Sequence, residues 1–160
     1  MTLEKTFILI KPDGVKRGLI GSIIQRYERA GLRLCAVKLV SCTREQAEEH
    51  YAEHRGKSFF SSLVALLTSG PSLAIAAEGA HAIAVVRKLN GDTEPQSAAP
   101  GTIRGDFAHM GYTRSAELKG TINNMVHASD SAESALRELS LWFDDSDYTD
   151  PYETVLKEFI

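Results

Sequence analysis

Apolar and polar positions alternate along this chain in two periods. Thr6-Phe7-Ile8-Leu9-Ile10 is a continuous β-prone run, the pattern of a strand buried on both faces. Lys11-Pro12-Asp13-Gly14 ends it. Leu19, Ile20, Ile23, Ile24, Tyr27 and Ala30 then form a helical stripe closed by Gly31. Arg33 to Val40 reads as a second strand, paired with the first. Thr43 and Gln46 have capping-box spacing and open a helix through about Tyr51. Ser58 caps a helix carrying Phe59, Leu63, Leu66 and Leu67, which stops near Gly70-Pro71.

Ser72 to Ala77 predicts a third strand, and Ala80 to about Leu89 a further helix. A proline-containing loop follows from Asp92 to Gly101, then a compact turn, Thr102 to Asp106, that can aim Arg104 at an anion. Phe107 to Thr121 reads as irregular, with His109 exposed. Ile122 to Val126 predicts a short strand ending at His127. Asp130 and Glu133 have capping-box spacing before a helix whose apolar stripe is Ala132, Ala135, Leu136 and Leu139. Glu138 falls off that stripe, on the side of Ser131 and Ser134, where it could steer an imidazole. Tyr152 to Ile160 reads as a short terminal helix.

This order of elements gives an α/β sandwich with a split β-α-β arrangement. At 160 residues the chain suits one domain, 1–160, with a core of its own. Charged residues make up 24% and hydrophobic ones 43%, the balance of an ordinary globular protein. A net charge of −3 argues against binding nucleic acid through bulk charge. No run is long and apolar enough to span a membrane, and the N-terminus lacks a signal-peptide pattern. Cys35 and Cys42 show no metal spacing. A reducing, cytoplasmic setting is therefore expected.

The sequence has no Gly-Lys-Ser/Thr phosphate loop, no Gly-x-Gly-x-x-Gly and no Gly-x-Ser-x-Gly elbow. His50 and His54 stand four apart, as zinc ligands do, but Tyr51 follows His50 where the zinc-protease motif has glutamate, so a solvated helix face is the expected reading. What remains is a histidine, an orienting glutamate, and the cations Lys11, Arg87 and Arg104. Cations around an imidazole suit an anionic substrate, and a neutral imidazole can attack at physiological pH. Phe59 and Phe60 cannot both face the core, so one is an exposed stacking surface or a partner contact.

Lys11-Pro12-Asp13-Gly14, Arg17-Gly18, Pro100-Gly101-Thr102-Ile103-Arg104-Gly105-Asp106-Phe107 and Asn124-x-x-His127-x-Ser129-Asp130-Ser131 closely resemble nucleoside diphosphate kinase over nearly the whole chain. Glu133-Ser134-Ala135 and Leu141-Trp142-Phe143 match as well. The resemblance implies a ferredoxin-like fold, a four-stranded antiparallel sheet covered by helices. It also implies ping-pong transfer of the γ-phosphate from a nucleoside triphosphate such as ATP to a nucleoside diphosphate, which maintains the nucleotide pools.

On that resemblance His127 is the nucleophile, carrying phosphate on Nδ1, with Glu138 at Nε2 and Ser129 supporting the glutamate. Lys11, Tyr51, Arg87, Thr93, Arg104 and Asn124 fall on phosphate and ribose contacts. Phe59 falls on the base-stacking aromatic and Leu63 on its apolar neighbour. Mg2+ would arrive on the nucleotide phosphates, with no metal ligand from the protein. The partners implied are nucleoside tri- and diphosphates and other copies of the chain: a homo-oligomer, hexamer first, with tetramer or dimer as alternatives. Neither membrane nor nucleic acid is expected as a partner.

Two departures stand out. The chain is longer between Phe107 and Asn124, an insertion at about 108–121 near the base side of the site, and Ala128 follows the histidine where many members have glycine. A regulatory nucleotide-binding protein on the same fold is the rival reading. It would lack the nucleophile or the cations, and neither is missing here.

Overall fold

The computed structural model describes residues 3–118 and 122–154. Strand β1, Glu4–Ile10, runs through the middle of the sheet. Five successive residues from Thr6 to Ile10 are fully buried, as a strand covered on both faces requires. Helices α1, Pro12–Lys16, and α2, Ile20–Arg29, lead to β2, Arg33–Val40. Then come α3, Arg44–His50, and α4, Phe60–Leu67, before β3, Ser72–Gly79. Helices α5, Ala82–Asn90, α6, Ile103–Phe107, and α7, Tyr112–Glu117, precede β4, Val126–Ala128, and α8, Ala132–Trp142.

The sheet order is β2-β3-β1-β4, and every pairing is antiparallel. With helices between the strands, this is the ferredoxin-like α/β arrangement that the element order implied. Strand β2 was expected beside β1, but it pairs with β3, Val37 opposite Ile75. Central β1 instead pairs with β3 and β4, Ile8 opposite both Ile75 and Ala128.

Alternation along β1 divides the core into two layers. Phe7 and Leu9 face a cluster with Ala47, Val64, Leu67, Leu139 and Trp142, drawn from α3, α4 and α8. Ile8 and Ile10 face the other side, with Ile23, Tyr27, Val86 and Ile103. Burying these side chains supplies the driving force, at about 25 cal/mol per Å2 of apolar surface.

Local chemistry agrees with several sequence expectations and corrects others. The Thr43–Gln46 box is complete: Gln46 N donates to Thr43 Oγ1, and Thr43 N donates to Gln46 Oε1, both at 3.2 Å. Ser58 does not cap α4; the N-cap is Phe59, without a side-chain bond. Phe60 packs against the core, and Phe59 is the exposed partner of the pair.

At α8 the box is one residue later than expected. Ser131 accepts from Ser134 N at 3.1 Å and donates its own N–H to Ser134 Oγ at 3.0 Å. The buried face of α8 is Ala135, Glu138, Leu139 and Trp142. Leu136, expected on the apolar stripe, is 71% exposed, and Ala132 is exposed too. The segment expected to be irregular contains α7. Residues 152–154 carry no helix, and the rest of the expected terminal helix lies outside the described residues.

Candidate active site

Strand β4 begins at Val126 and places His127 in mid-strand, opposite Leu9 of β1. The expected strand from Ile122 does not form. Met125 instead takes a left-handed backbone, φ 61°, a conformation that costs energy in a side-chain-bearing residue. Two bonds hold it: Met125 N donates to Asp13 Oδ2 at 3.0 Å, and its carbonyl accepts Lys11 N at 2.8 Å. This turn sets the height at which β4 joins β1.

His127 Nε2 lies 2.7 Å from Glu138 Oε1. A second bond fixes the carboxylate, Ser129 Oγ donating to Glu138 Oε2 at 2.6 Å. Ser129 is anchored in turn, its Oγ accepting from Phe7 N at 3.3 Å and its own N donating to Phe7 O at 3.1 Å. The imidazole is thus tied through Glu138 and Ser129 to Phe7 of the central strand. A carboxylate already accepting from a hydroxyl can only accept again, so Nε2 carries the proton. The lone pair is left on Nδ1. Glu138 can play this part because α8 turns it inward, among Ala135, Leu139 and Trp142.

Cations line the same space. Lys11 leaves the end of β1 and is buried rather than on the surface. Its Nζ donates to Asn124 Oδ1, and Asn124 Nδ2 donates to Thr93 O at 2.7 Å. Burial pulls the Lys11 ammonium from 10.5 down to about 8; Asp13 opposes that shift and Arg104 adds to it.

Arg104 sits on α6, not in a turn, and is buried. Its guanidinium donates to Gly91 O at 2.7 Å, Val126 O at 2.6 Å and Asn124 O at 3.2 Å. Burial lowers it to about 10, which leaves it charged at neutral pH. Arg87 projects exposed from α5.

All the site residues expected from sequence, apart from Ser129, line one cavity of about 1430 Å3. Ser129 is buried behind it. Tyr51 and Leu63 enter from the α3–α4 side, where Phe59 is 45% exposed. Burial raises the Tyr51 phenol well above its usual range, so it is a proton donor at any working pH. Thr93, Arg104, Asn124 and His127 enter from the other side.

His50 corrects the sequence reading. It is buried beneath the site, not on a solvated face. Ala47, His50 and Tyr51, at i, i+3 and i+4, form the buried stripe of α3, a signal present in the sequence. Trp142 Nε1 donates to His50 Nδ1 at 3.2 Å, and the His50 ring stands edge-on to His127 with centroids 4.6 Å apart. Burial, reinforced by nearby His127, keeps His50 neutral, well below the usual imidazole range. His54 is not a second ligand; its ring stacks on Tyr51 instead.

His50, His127 and Glu138 bring one ligand atom each within 4.8 Å of one another, the one such group among the described residues. Two imidazoles suit a transition metal better than magnesium. Even that fit fails at His50, whose Nδ1 is occupied and whose Nε2 must hold the proton.

A family model described as nucleoside diphosphate kinase matches residues 4–148. The chain belongs to the nucleoside diphosphate kinase family.

A nucleoside diphosphate kinase of Archaeoglobus fulgidus is 54% identical over 145 residues, 91% of this chain and 89% of that relative. One from Saccharolobus islandicus is 50% identical over 147 residues, 92% of this chain and 99% of that relative. Among solved structures, the Borrelia burgdorferi nucleoside diphosphate kinase with bound vanadate and ADP, a transition-state mimic, superposes with a TM-score of 0.91. It is 38% identical and covers 97% of this chain and 95% of its own. The Halobacterium salinarum enzyme in complex with CDP gives a TM-score of 0.86 at 42% identity, covering 99% and 98%. The activity is that of the nucleoside diphosphate kinases, a phosphotransferase that passes a phosphoryl group from a nucleoside triphosphate to a nucleoside diphosphate. No helix among the described residues is long and apolar enough to cross a membrane.

Proposed function

We propose that His127 carries the phosphoryl group between two nucleotides that occupy the same cavity in turn. The observation that supports this is the His127–Glu138 bond of 2.7 Å, which commits Nε2 and leaves the Nδ1 lone pair for chemistry. Nδ1 attacks the γ-phosphorus of a nucleoside triphosphate. A P–N bond forms, and the bond to the β–γ bridging oxygen breaks, its electron pair leaving with the diphosphate. The imidazole becomes positive, and the Glu138 carboxylate offsets that charge. A terminal phosphate oxygen of the second nucleotide then attacks the same phosphorus, and the P–N pair returns to Nδ1. The net transfer needs no proton to move.

Such a transfer depends on positioning and charge neutralisation. Lys11, Arg87 and Arg104 balance the polyphosphate, with Tyr51, Thr93 and Asn124 supplying neutral contacts to phosphate and ribose. Phe59 stacks on the base beside Leu63, and stacking tolerates many bases. The donor set suits Mg2+ carried on the nucleotide, because oxygen-rich phosphates are its preferred ligands and the ligand group found among the described residues, His50, His127 and Glu138, is mostly imidazole. When bound, that ion neutralises charge on the phosphates. We also read the protein as a cytoplasmic homo-oligomer, hexamer first. Val37 and Leu39, exposed on edge strand β2, are apolar surface that self-association would cover.

The test is a brief incubation with γ-labelled ATP and magnesium, without acceptor. An acid-labile, alkali-stable label is expected on His127, which added GDP or CDP discharges. A His127→Ala variant is expected to take no label while still binding ADP, and retained turnover in that variant would remove His127 from the role.

A further inference from the structure

We infer that His54 is a positioning residue for the base platform: its ring braces the exposed Phe59 against the buried Tyr51, so that the stacking face stands ready before a nucleotide arrives. This rests on the reading of the cavity as the nucleotide site and says how that site holds its stacking ring. No contact between His54 and the nucleotide is needed.

Three observations carry it. First, Phe59 has no seat in the core. It caps α4 without a side-chain bond and is largely exposed, while its neighbour Phe60 packs inward. A ring so placed can change rotamer, and a ligand that needs it in one orientation must stop that motion on binding.

Second, His54 stands between the two rings that the site uses. It lies in the single turn of 3-10 helix, Ala52–His54, that follows α3. Its ring stacks on Tyr51 with centroids 6.2 Å apart and planes at 26°. It meets Phe59 edge to face, with centroids 5.5 Å apart and planes at 62°. Tyr51 is buried in the core layer of α3 and α4, so it is the fixed end of this row. The backbone beneath the row is bonded too: His54 N donates to Tyr51 O at 2.8 Å, and Lys57 N donates to His54 O at 3.1 Å.

Third, the rotation of the His54 ring is set by its nitrogens. Nδ1 lies 3.0 Å from Lys57 Nζ and must accept, because an ammonium only donates. The proton is therefore on Nε2, on the side of Glu53 Oε1, 3.6 Å away. Partial burial lowers the imidazole from its usual value; Glu53 opposes that shift, and Lys57 and His127 add to it. The same Lys57 ammonium lies over the Phe59 ring, 5.7 Å from its centroid. One cation thus holds both the brace and the ring that it braces.

The test is calorimetric binding of GDP and steady-state kinetics for His54→Ala, His54→Phe, Phe59→Ala and the double variant of His54→Ala with Phe59→Ala. His54→Ala is expected to raise KM and weaken GDP binding about fivefold, the cost of ordering one freed side chain. The effect on kcat is expected to be smaller, since Tyr51 and the cations keep their places. His54→Phe keeps both ring contacts and is expected to restore most of the affinity. In the Phe59→Ala background, His54→Ala is expected to cost nothing further, because its effect passes through Phe59. Equal losses in the two backgrounds would overturn the assignment, and so would a His54→Phe variant as weak as His54→Ala. Phe59→Ala with wild-type affinity refutes the stacking reading and the brace with it. A weakened Phe59→Ala beside an indifferent His54→Ala refutes the brace alone.

Discussion

The Trp142 indole N–H donates to His50 Nδ1 at 3.2 Å, beneath the ring of His127. That bond forces the His50 proton onto Nε2, which has no hydrogen-bond partner in the described structure. A neutral, fixed ring therefore packs edge-on against His127.

Trp142→Phe keeps an aromatic ring but strands Nδ1 as a second unsatisfied atom. Leaving a buried polar group unpaired costs about 1–3 kcal/mol. The expected outcome is a lower urea midpoint with an unchanged slope. An unchanged midpoint would mean that the bond contributes nothing to stability.

Lys11 predicts opposite pH dependences for stability and for binding. Its folded value is lowered by burial from 10.5 to about 8. Below about pH 8 the buried charge is a constant cost. Between about 8 and 10.5 the folded lysine loses its proton first, so the unfolded chain binds more protons and this group's contribution to stability rises with pH. Nucleotide affinity runs the other way, because a neutral amine no longer attracts phosphate. KM for ATP is expected to climb as pH passes about 8. The matching fall in kcat is expected at higher pH, since bound phosphate favours the ammonium. A KM that stays flat to about pH 9 would remove Lys11 from substrate binding.

Gly105→Ala tests how α6 positions Arg104. A Cβ at Gly105 would lie 2.1 Å from the Ala99 carbonyl oxygen, which is backbone and cannot swing aside. Overpacking of this kind costs roughly 1–3 kcal/mol. The helix must lift from the 92–101 loop, and the three carbonyl contacts of Arg104 must loosen. A lower melting temperature and a raised KM for nucleotides are expected together. Wild-type values for both would show that the loop yields freely.

Much of the fold was legible because its signals are local. The apolar run Thr6 to Ile10 could only be a covered strand, and the Thr43–Gln46 box needs only the residues it joins. Errors arose where burial depends on what lies opposite. Leu136 follows the helical period yet faces solvent, because Glu138 occupies the inward position beside Ala135 and Leu139. His50 looked like half of a surface pair, though Ala47 and Tyr51 on the same face mark its burial. Strand β2 was expected beside its neighbour in sequence, but β3 lies between them.

By itself the sequence determined the principal strands and helices, their order and, through motifs, the family and the candidate site residues, while α6, α7 and the true start of β4 escaped it. These rest on short-range physics: backbone propensity, side-chain period and capping geometry. Only the tertiary structure showed that His127 Nε2 lies 2.7 Å from Glu138 Oε1 and that Arg104 is held by three carbonyls. It also decided that Tyr112 of α7 shares a cavity with Phe59. Each of those facts joins residues far apart in the chain. Such residues meet through antiparallel pairing of β1 with β3 and β4 and through burial of two apolar layers. Hydrophobic burial has no direction of its own, so the choice of neighbours falls to sheet order and packing.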